Sequence, residues 1–151
     1  MPIAAYSYNS ATAALTPVLE GLPPVIVSID GLPGSGKTTL GRYLAWYFNV
    51  TLVESDLFLK SGQGLKYRLA DLKRVVSARL ARERPLILDG VAVGWLLRDL
   101  GLQAAFTVYV SHSGPTLGSS PHAHVQSYEA SFQPRAKSNL VIELCVSFPD
   151  R

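Results

Sequence analysis

The 151-residue sequence has a single cysteine, Cys145, and no apolar run long enough to cross a bilayer. One cysteine excludes an intrachain disulfide, and its position in an apolar strand-like stretch is typical of a small buried hydrophobic residue. The first residues also lack the basic start and apolar core of a secretory signal. We therefore expect a cytoplasmic protein that does not contact a membrane.

Charged residues are also scarce, since they make up 17% of the chain and leave a formal net charge of +3. A surface that binds nucleic acid usually has a dense basic stripe interleaved with aromatic residues. Here basic residues cluster only in segment 66–84, and on a helix such a pattern is more typical of a solvent-exposed face. Nucleic acid is therefore not an expected partner.

The alternation of apolar runs predicts one α/β domain over residues 1–151. A leader, residues 1–23, contains a helical stretch near 11–20 and ends at Pro23-Pro24. Apolar runs predict five strands, at 25–29, 51–55, 85–89, 105–110 and 140–146. Helical segments between most of them favour a three-layer sandwich, in which helices cover both faces of a five-stranded parallel sheet. Trp46 and Trp95 fall in apolar helical runs and are expected in the core.

Segment 111–126 departs from this regularity, because it is rich in Gly, Ser and Pro and has no apolar period. Long irregular loops in compact domains are usually functional lids or disordered segments. We expect a mobile lid loop here. His112, His122 and His124 lie in this segment without adjacent cysteines or carboxylates, so they are interpreted as polar loop residues rather than as a metal site.

Residues 31–38 match the pattern G-x-x-x-x-G-K-[ST] and lie between a strand-like run and an amphipathic helical run. A glycine-rich turn lets backbone N–H groups converge, and the helix that follows adds its free N-terminal donors. The pattern predicts a triphosphate site, whereas the alternative is a structural turn with an incidental lysine. The expected binding residues are Gly31, Leu32, Pro33, Gly34, Ser35, Gly36, Lys37, Thr38 and Thr39. Lys37 is expected to reach the β- and γ-phosphates, and Thr38 to bind Mg²⁺.

Two further carboxylates follow predicted strands and are expected at the same sheet edge, because the carboxyl ends of parallel strands meet there. Asp89 is interpreted as a ligand of Mg²⁺, directly or through water, and a role in capping the next turn is the alternative. Asp56 is interpreted as a base that accepts the proton of an attacking hydroxyl, with a turn or N-cap role left open. Asp30, just before the glycine-rich turn, is expected to be structural.

Four stretches resemble the small P-loop kinases of the uridine kinase-like and nucleoside kinase group, namely VIVSIDGLPGSGKTTLGRYLA, ESDLFL, RPLILDGV and PRAKSNLVIEL. The resemblance implies the P-loop NTPase fold, ATP as donor, Mg²⁺ as cofactor, and transfer of the γ-phosphate to a hydroxyl of a small metabolite, such as a nucleoside. It implies catalytic roles for Lys37 and Asp56. It also implies an acceptor pocket near residues 60–71, where Tyr67, Arg68 and Asp71 are candidate contacts. Core packing of Tyr67 and a solvent-exposed Arg68 are the alternatives.

The lid region departs from these kinases, which carry arginines there to neutralise the transferring phosphoryl group. Residues 111–134 contain no Arg or Lys, and only Arg135 and Lys137 follow. Missing cations of this kind can remove several powers of ten in rate. The alternative function is therefore an ATP-binding module with weak or no transfer, acting as a sensor or a subunit. The sequence predicts neither the acceptor nor the oligomeric state.

Overall fold

The computed structural model describes residues 5–113 and 123–145. The strands in these residues are β1 (Ile26–Gly31), β2 (Thr51–Glu54), β3 (Leu86–Asp89), β4 (Phe106–Ser113) and β5 (Leu140–Cys145). The α-helices are α1 (Asn9–Leu19), α2 (Lys37–Phe48), α3 (Leu69–Leu80), α4 (Val93–Leu100), α5 (Ala123–Phe132) and α6 (Pro134–Lys137). Short 3-10 turns occupy Ala5–Tyr8 and Ser55–Phe58.

The strands form one sheet in the order β2-β3-β1-β4-β5, and every pairing is parallel. The predicted α/β fold, with a five-stranded parallel sheet between two helical layers, is confirmed. The chain leaves β1 through α2 on one face and leaves the neighbouring β3 through α4 on the other. Where neighbouring strands are followed by helices on opposite faces, a crevice opens at the carboxyl ends of the two strands, and ligands bind there in sheets of this type.

Alternating side chains of the central strand β1 enter two different cores. Val27 and Ile29 pack with residues of α1 and α2, whereas Ile26 packs with residues of α3 and α4. A strand that is buried on both faces reads as a continuous apolar run, and this explains the pattern at 25–29. The leader helix α1 covers the sheet beside α2, with Leu15 and Leu19 buried.

The prediction of a loop over 111–126 is wrong at both ends. Strand β4 continues to Ser113 because β5 pairs with it that far, with His112 opposite Leu144. Helix α5 begins at Ala123 and was not predicted. Its buried residues include only Val125 and Tyr128, so its apolar period is weak in the sequence. Residues 114–122, with His122, lie outside the described residues.

The expectation for Trp46 is also wrong, since 75% of its surface is exposed. Helix α2 buries Leu40 and Leu44 against the sheet, and Trp46 lies on another face of the helix. There its ring contacts that of Tyr43, at a centroid distance of 6.0 Å. Trp95 is half-buried against Tyr128, as expected for a residue at the core. None of the helices in the described parts of the chain could span a bilayer.

Candidate nucleotide-binding site

The glycine-rich residues 31–38 connect the end of β1 to the start of α2. A Cβ atom at Gly31 would clash with the carbonyl oxygen of Val110 and would lie 2.9 Å from Ser35 Oγ. Gly36, which precedes α2 as its N-cap, has a φ of 93°. Side chains would be strained at both positions, so the turn depends on glycine. Its backbone thus has the form of a phosphate-binding turn at a helix N-terminus.

The side chain of Lys37 folds back over this turn. Its Nζ donates a hydrogen bond of 2.8 Å to the carbonyl oxygen of Leu32, and only 6% of the residue is exposed. Burial lowers the pKa of Lys37, although the charges of Asp56, Asp30 and Asp89 act to raise it. Within the described residues Lys37 makes no ion pair. The ammonium group is therefore available to a phosphate that enters the turn.

Asp89 ends β3 and faces the same region. It is 2% exposed, and its Oδ2 has no hydrogen-bond partner among the described residues. Burial raises the pKa of Asp89 to about 6; the hydrogen bond with Thr38 and the charge of Lys37 lower it, whereas Glu54 and Asp56 raise it. A buried carboxylate oxygen without a partner is costly, and a cation would stabilise its charge.

The pair of Asp89 and Thr38 suits a divalent cation that arrives with phosphates. In the parts of the chain that the structure describes, no group of three or more His, Cys, Asp or Glu residues could hold a metal ion. Mg²⁺ usually takes one or two carboxylates and completes its six ligands with water and phosphate oxygens. The unpartnered Oδ2 of Asp89 and the Thr38 hydroxyl match that limited contribution from the protein.

Asp56 lies in the 3-10 turn after β2 and is exposed. Its charge raises the pKa of Lys37, as do the charges of Asp30 and Asp89, so the Asp56 carboxylate acts on the same ammonium group. Tyr67 stands beside this turn, packed against the core with its hydroxyl donating to the Val91 carbonyl oxygen at 3.2 Å. Burial raises the pKa of Tyr67 to about 12, so the phenol stays protonated at neutral pH.

Arg68 and Asp71 differ in their relation to this region. Arg68 is exposed, and its Nη2 donates to the carbonyl oxygen of Leu57, the residue after Asp56, at 2.7 Å. Asp71 instead forms a surface ion pair of 3.3 Å with Arg74. Arg68 is thus held beside the turn that carries Asp56, whereas the ion pair of Asp71 with Arg74 indicates a surface role.

Two further residues shape the site and were not singled out in the sequence. Glu54 of β2 is the register partner of Asp89 of β3. Its position at the end of a predicted strand is the sequence feature from which it could have been found. Tyr128 of α5 donates a hydrogen bond to the buried Asp30, which also accepts the Gly31 N–H at 2.8 Å. Tyr128 is 98 positions from its partner, and no sequence pattern indicates the contact. The structural role expected for Asp30 agrees with these contacts.

Comparison of sequences gives local matches. No family model matches the chain. A shikimate kinase from Corynebacterium diphtheriae is 49% identical over 46 residues, which are 30% of this chain and 27% of that protein. A shikimate kinase from Corynebacterium glutamicum is 46% identical over 43 residues, 28% of this chain and 25% of that protein. The matches therefore span about a quarter of the length of these relatives.

Solved structures match nearly the whole chain at low sequence identity. A possible uridine kinase from Bacillus stearothermophilus has a TM-score of 0.59 at 15% identity, over 88% of this chain and 97% of that one. A gluconokinase from Sinorhizobium meliloti has a TM-score of 0.51 at 19% identity, over 83% and 85%. The chain therefore has the fold of the small P-loop kinases, and the resemblance noted in the sequence is confirmed at the level of the fold.

Proposed function

We propose that this protein is an ATP-dependent kinase that transfers the γ-phosphate to a hydroxyl group of a small metabolite. The observation that supports the proposal is the meeting of three features at one edge of the sheet. These are the buried Lys37 beside the glycine-rich turn, the unpartnered oxygen of Asp89 next to Thr38, and the exposed Asp56, whose charge raises the pKa of Lys37.

Residues 31–39 are proposed to bind the phosphates of ATP, with Lys37 exchanging its bond to Leu32 for the β- and γ-phosphate oxygens. Phosphoryl transfer depends mainly on alignment and on neutralisation of charge. A fixed ammonium group in buried surroundings serves both needs, because its interaction with phosphate is stronger there than in water. Mg²⁺, when bound, would neutralise further phosphate charge, and Thr38 and Asp89 are the residues proposed to hold it, with or without intervening water.

Asp56 is proposed to orient the acceptor hydroxyl and to take its proton. In that step the hydroxyl oxygen bonds to the γ-phosphorus, the bond from that phosphorus to the bridging oxygen of ADP breaks, and the proton passes to the carboxylate. The exposure of Asp56 is consistent with this role, since a base must be reached by the acceptor. Tyr67 and Arg68, on the adjoining segment, are proposed to contact the acceptor. Asp71 is the weakest candidate, because it is engaged with Arg74.

The test is acceptor-stimulated release of ADP from Mg²⁺-ATP over a panel of nucleosides, sugars and small hydroxy acids. Uridine, gluconate and shikimate belong in the panel, because the names of the similar kinases refer to these compounds. Lys37→Met should lower the stimulated release ~10²-fold or more. Lys73→Met, an exposed lysine of α3, is the matched control and should leave it unchanged. Binding of ATP with no acceptor-stimulated release across the panel would count against the proposal.

A second candidate function is an ATP-binding module with weak or no transfer. Its support is that the two cations that follow the arginine-free segment 111–134 already contact other side chains of the protein. Arg135 forms an ion pair of 2.5 Å with Glu143, and the Lys137 ammonium lies 4.2 Å from the centre of the Phe132 ring. This candidate predicts tight nucleotide binding with turnover at the background rate. A phosphorylated product formed at many times that rate would exclude it.

A further inference from the structure

A cavity of about 450 Å³ lies between α4 and α6, apart from the proposed nucleotide site. Residues of β1 and β4 form its floor, and α4, Phe132 and the residues around α6 form its walls. Its lining includes no residue of the segment 31–39 and none of Asp56, Tyr67 and Asp89. Pockets for small molecules typically measure about 300–1,000 Å³, so the cavity is large enough for a ligand of its own.

The walls of the cavity are largely apolar, with contributions from Leu97, Leu102, Ala104 and Phe132. A few polar groups accompany them, which is the usual composition of a small-molecule pocket. The floor carries the buried Ser28 and Asp30. Asp30 already accepts hydrogen bonds from Gly31 and Tyr128, so its carboxylate is occupied by protein donors.

Two cations line the cavity, and they differ in their present partners. Arg98 is paired with Asp99 at 3.0 Å. Lys137 makes no ion pair within the described residues, and its ammonium lies 4.2 Å from the Phe132 ring centre. An ammonium group on an aromatic wall of an apolar cavity favours an anion with an apolar body. The negative charge of Asp30 on the floor directs that anionic group toward the Lys137 wall.

We propose that this cavity is a binding site for a small monocarboxylic acid with an apolar body, whose carboxylate pairs with Lys137. The apolar body packs against Leu97 and Phe132. The site is distinct from that of the nucleotide, because the two share no lining residue. Both ligands are therefore accommodated at the same time.

Phenylacetate is a suitable probe, and benzylamine, of similar size and opposite charge, is its control. A Trp46→Phe variant leaves Trp95 as the single tryptophan of the chain. Trp95 reports on the cavity wall, because its ring lies 5.7 Å from the Arg98 guanidinium. We expect phenylacetate to change the Trp95 fluorescence saturably and to bind about ten-fold more tightly than benzylamine, the scale of one charge-assisted contact. Equal binding of the two probes, or binding of neither, would overturn the proposal.

Two variants locate the site by saturation-transfer NMR on phenylacetate. Lys137→Glu should reverse the preference between phenylacetate and benzylamine, whereas the exposed control Lys73→Glu should preserve it. Ala104→Phe should remove binding by filling the cavity, and Ala78→Phe, at an exposed position of α3, should retain it. Circular dichroism checks the fold of each variant, and the exposed Lys137 change decides the outcome if Ala104→Phe unfolds.

Three results would contradict the proposed location. The first is an unchanged probe preference in Lys137→Glu. The second is unchanged phenylacetate binding in a folded Ala104→Phe variant. The third is displacement of phenylacetate by ADP, which would assign the probe to the nucleotide site. The expected result is simultaneous binding of phenylacetate and ADP, a reversed probe preference in Lys137→Glu, and loss of phenylacetate binding in Ala104→Phe.

Discussion

The contact between Tyr128 and Asp30 joins α5 to the strand that precedes the glycine-rich turn, and its removal should lower the stability of the fold. Tyr128 is fully buried. Its hydroxyl donates to Asp30 and accepts the Gly94 N–H at 3.1 Å. Tyr128→Phe keeps the ring that packs edge-on against Trp95 and stacks on Phe132, and it removes only the hydroxyl oxygen.

The expected loss of unfolding free energy follows from the two hydrogen bonds. A bond to a charged partner is worth about 1.5–3 kcal/mol, and a neutral one about 1 kcal/mol. Asp30 keeps its bond from the Gly31 N–H at 2.8 Å, so its carboxylate is not left without a donor. We therefore expect Tyr128→Phe to cost about 3 kcal/mol. For a protein of this size the melting temperature should fall by about 6–12 °C.

Urea unfolding of wild-type protein, Tyr128→Phe, Asp30→Asn and the double variant measures this loss and the coupling between the two residues. Tyr109→Phe is the matched control, because its hydroxyl bonds to the less buried Glu129 at 3.0 Å, and it should lose about 1 kcal/mol. A loss for Tyr128→Phe no larger than that of the control would show that the bond to Asp30 does not stabilise the fold as expected. Additive effects of the Tyr128 and Asp30 substitutions would show the same.

Three further predictions concern the proposed site. The pKa of Asp89 is raised from 3.8 to about 6 in the folded protein, so the folded state resists losing this proton. Without Mg²⁺ and nucleotide, wild-type stability relative to Asp89→Asn should therefore fall by about 2 kcal/mol as the pH rises from 4 to 7, in urea unfolding curves. Lys37→Met should weaken ATP binding, measured by calorimetry, and lower turnover ~10²-fold or more; unchanged affinity would contradict its role. Asp56→Asn should lower turnover ~10²-fold at unchanged ATP affinity, and a steady-state assay showing wild-type turnover would exclude it as the base.

The sheet was predictable because β1 and β3 are buried on both faces and therefore appear as continuous apolar runs. The order of strands and helices then predicts a shared edge for the ends of β1, β2 and β3. Helix α5 was not predicted, because its few buried side chains leave a weak period in the sequence. The exposure of Trp46 depends on which face of α2 packs against the sheet, and the helix propensities of the residues do not determine that face.

For the candidate site, the glycine-rich turn is visible in the sequence because glycine is required at specific positions, such as Gly36 with its positive φ. Asp56 and Asp89 could be assigned to one sheet edge from their positions after strands. The contact of Asp30 with Tyr128 could not be predicted, because it joins distant segments of the sequence through a single side-chain hydrogen bond. The cavity beside α6 depends on packing between elements, and packing of this kind leaves no local pattern.

Transfer of phosphate from ATP to a hydroxyl group can be followed by ³¹P NMR of a reaction with Mg²⁺-ATP. With the best acceptor of the panel, we expect a new phosphomonoester signal that grows in step with ADP, and that grows ~10²-fold more slowly or not at all with Lys37→Met. Formation of inorganic phosphate alone, or persistence of ATP while it is bound, would contradict the proposed transfer.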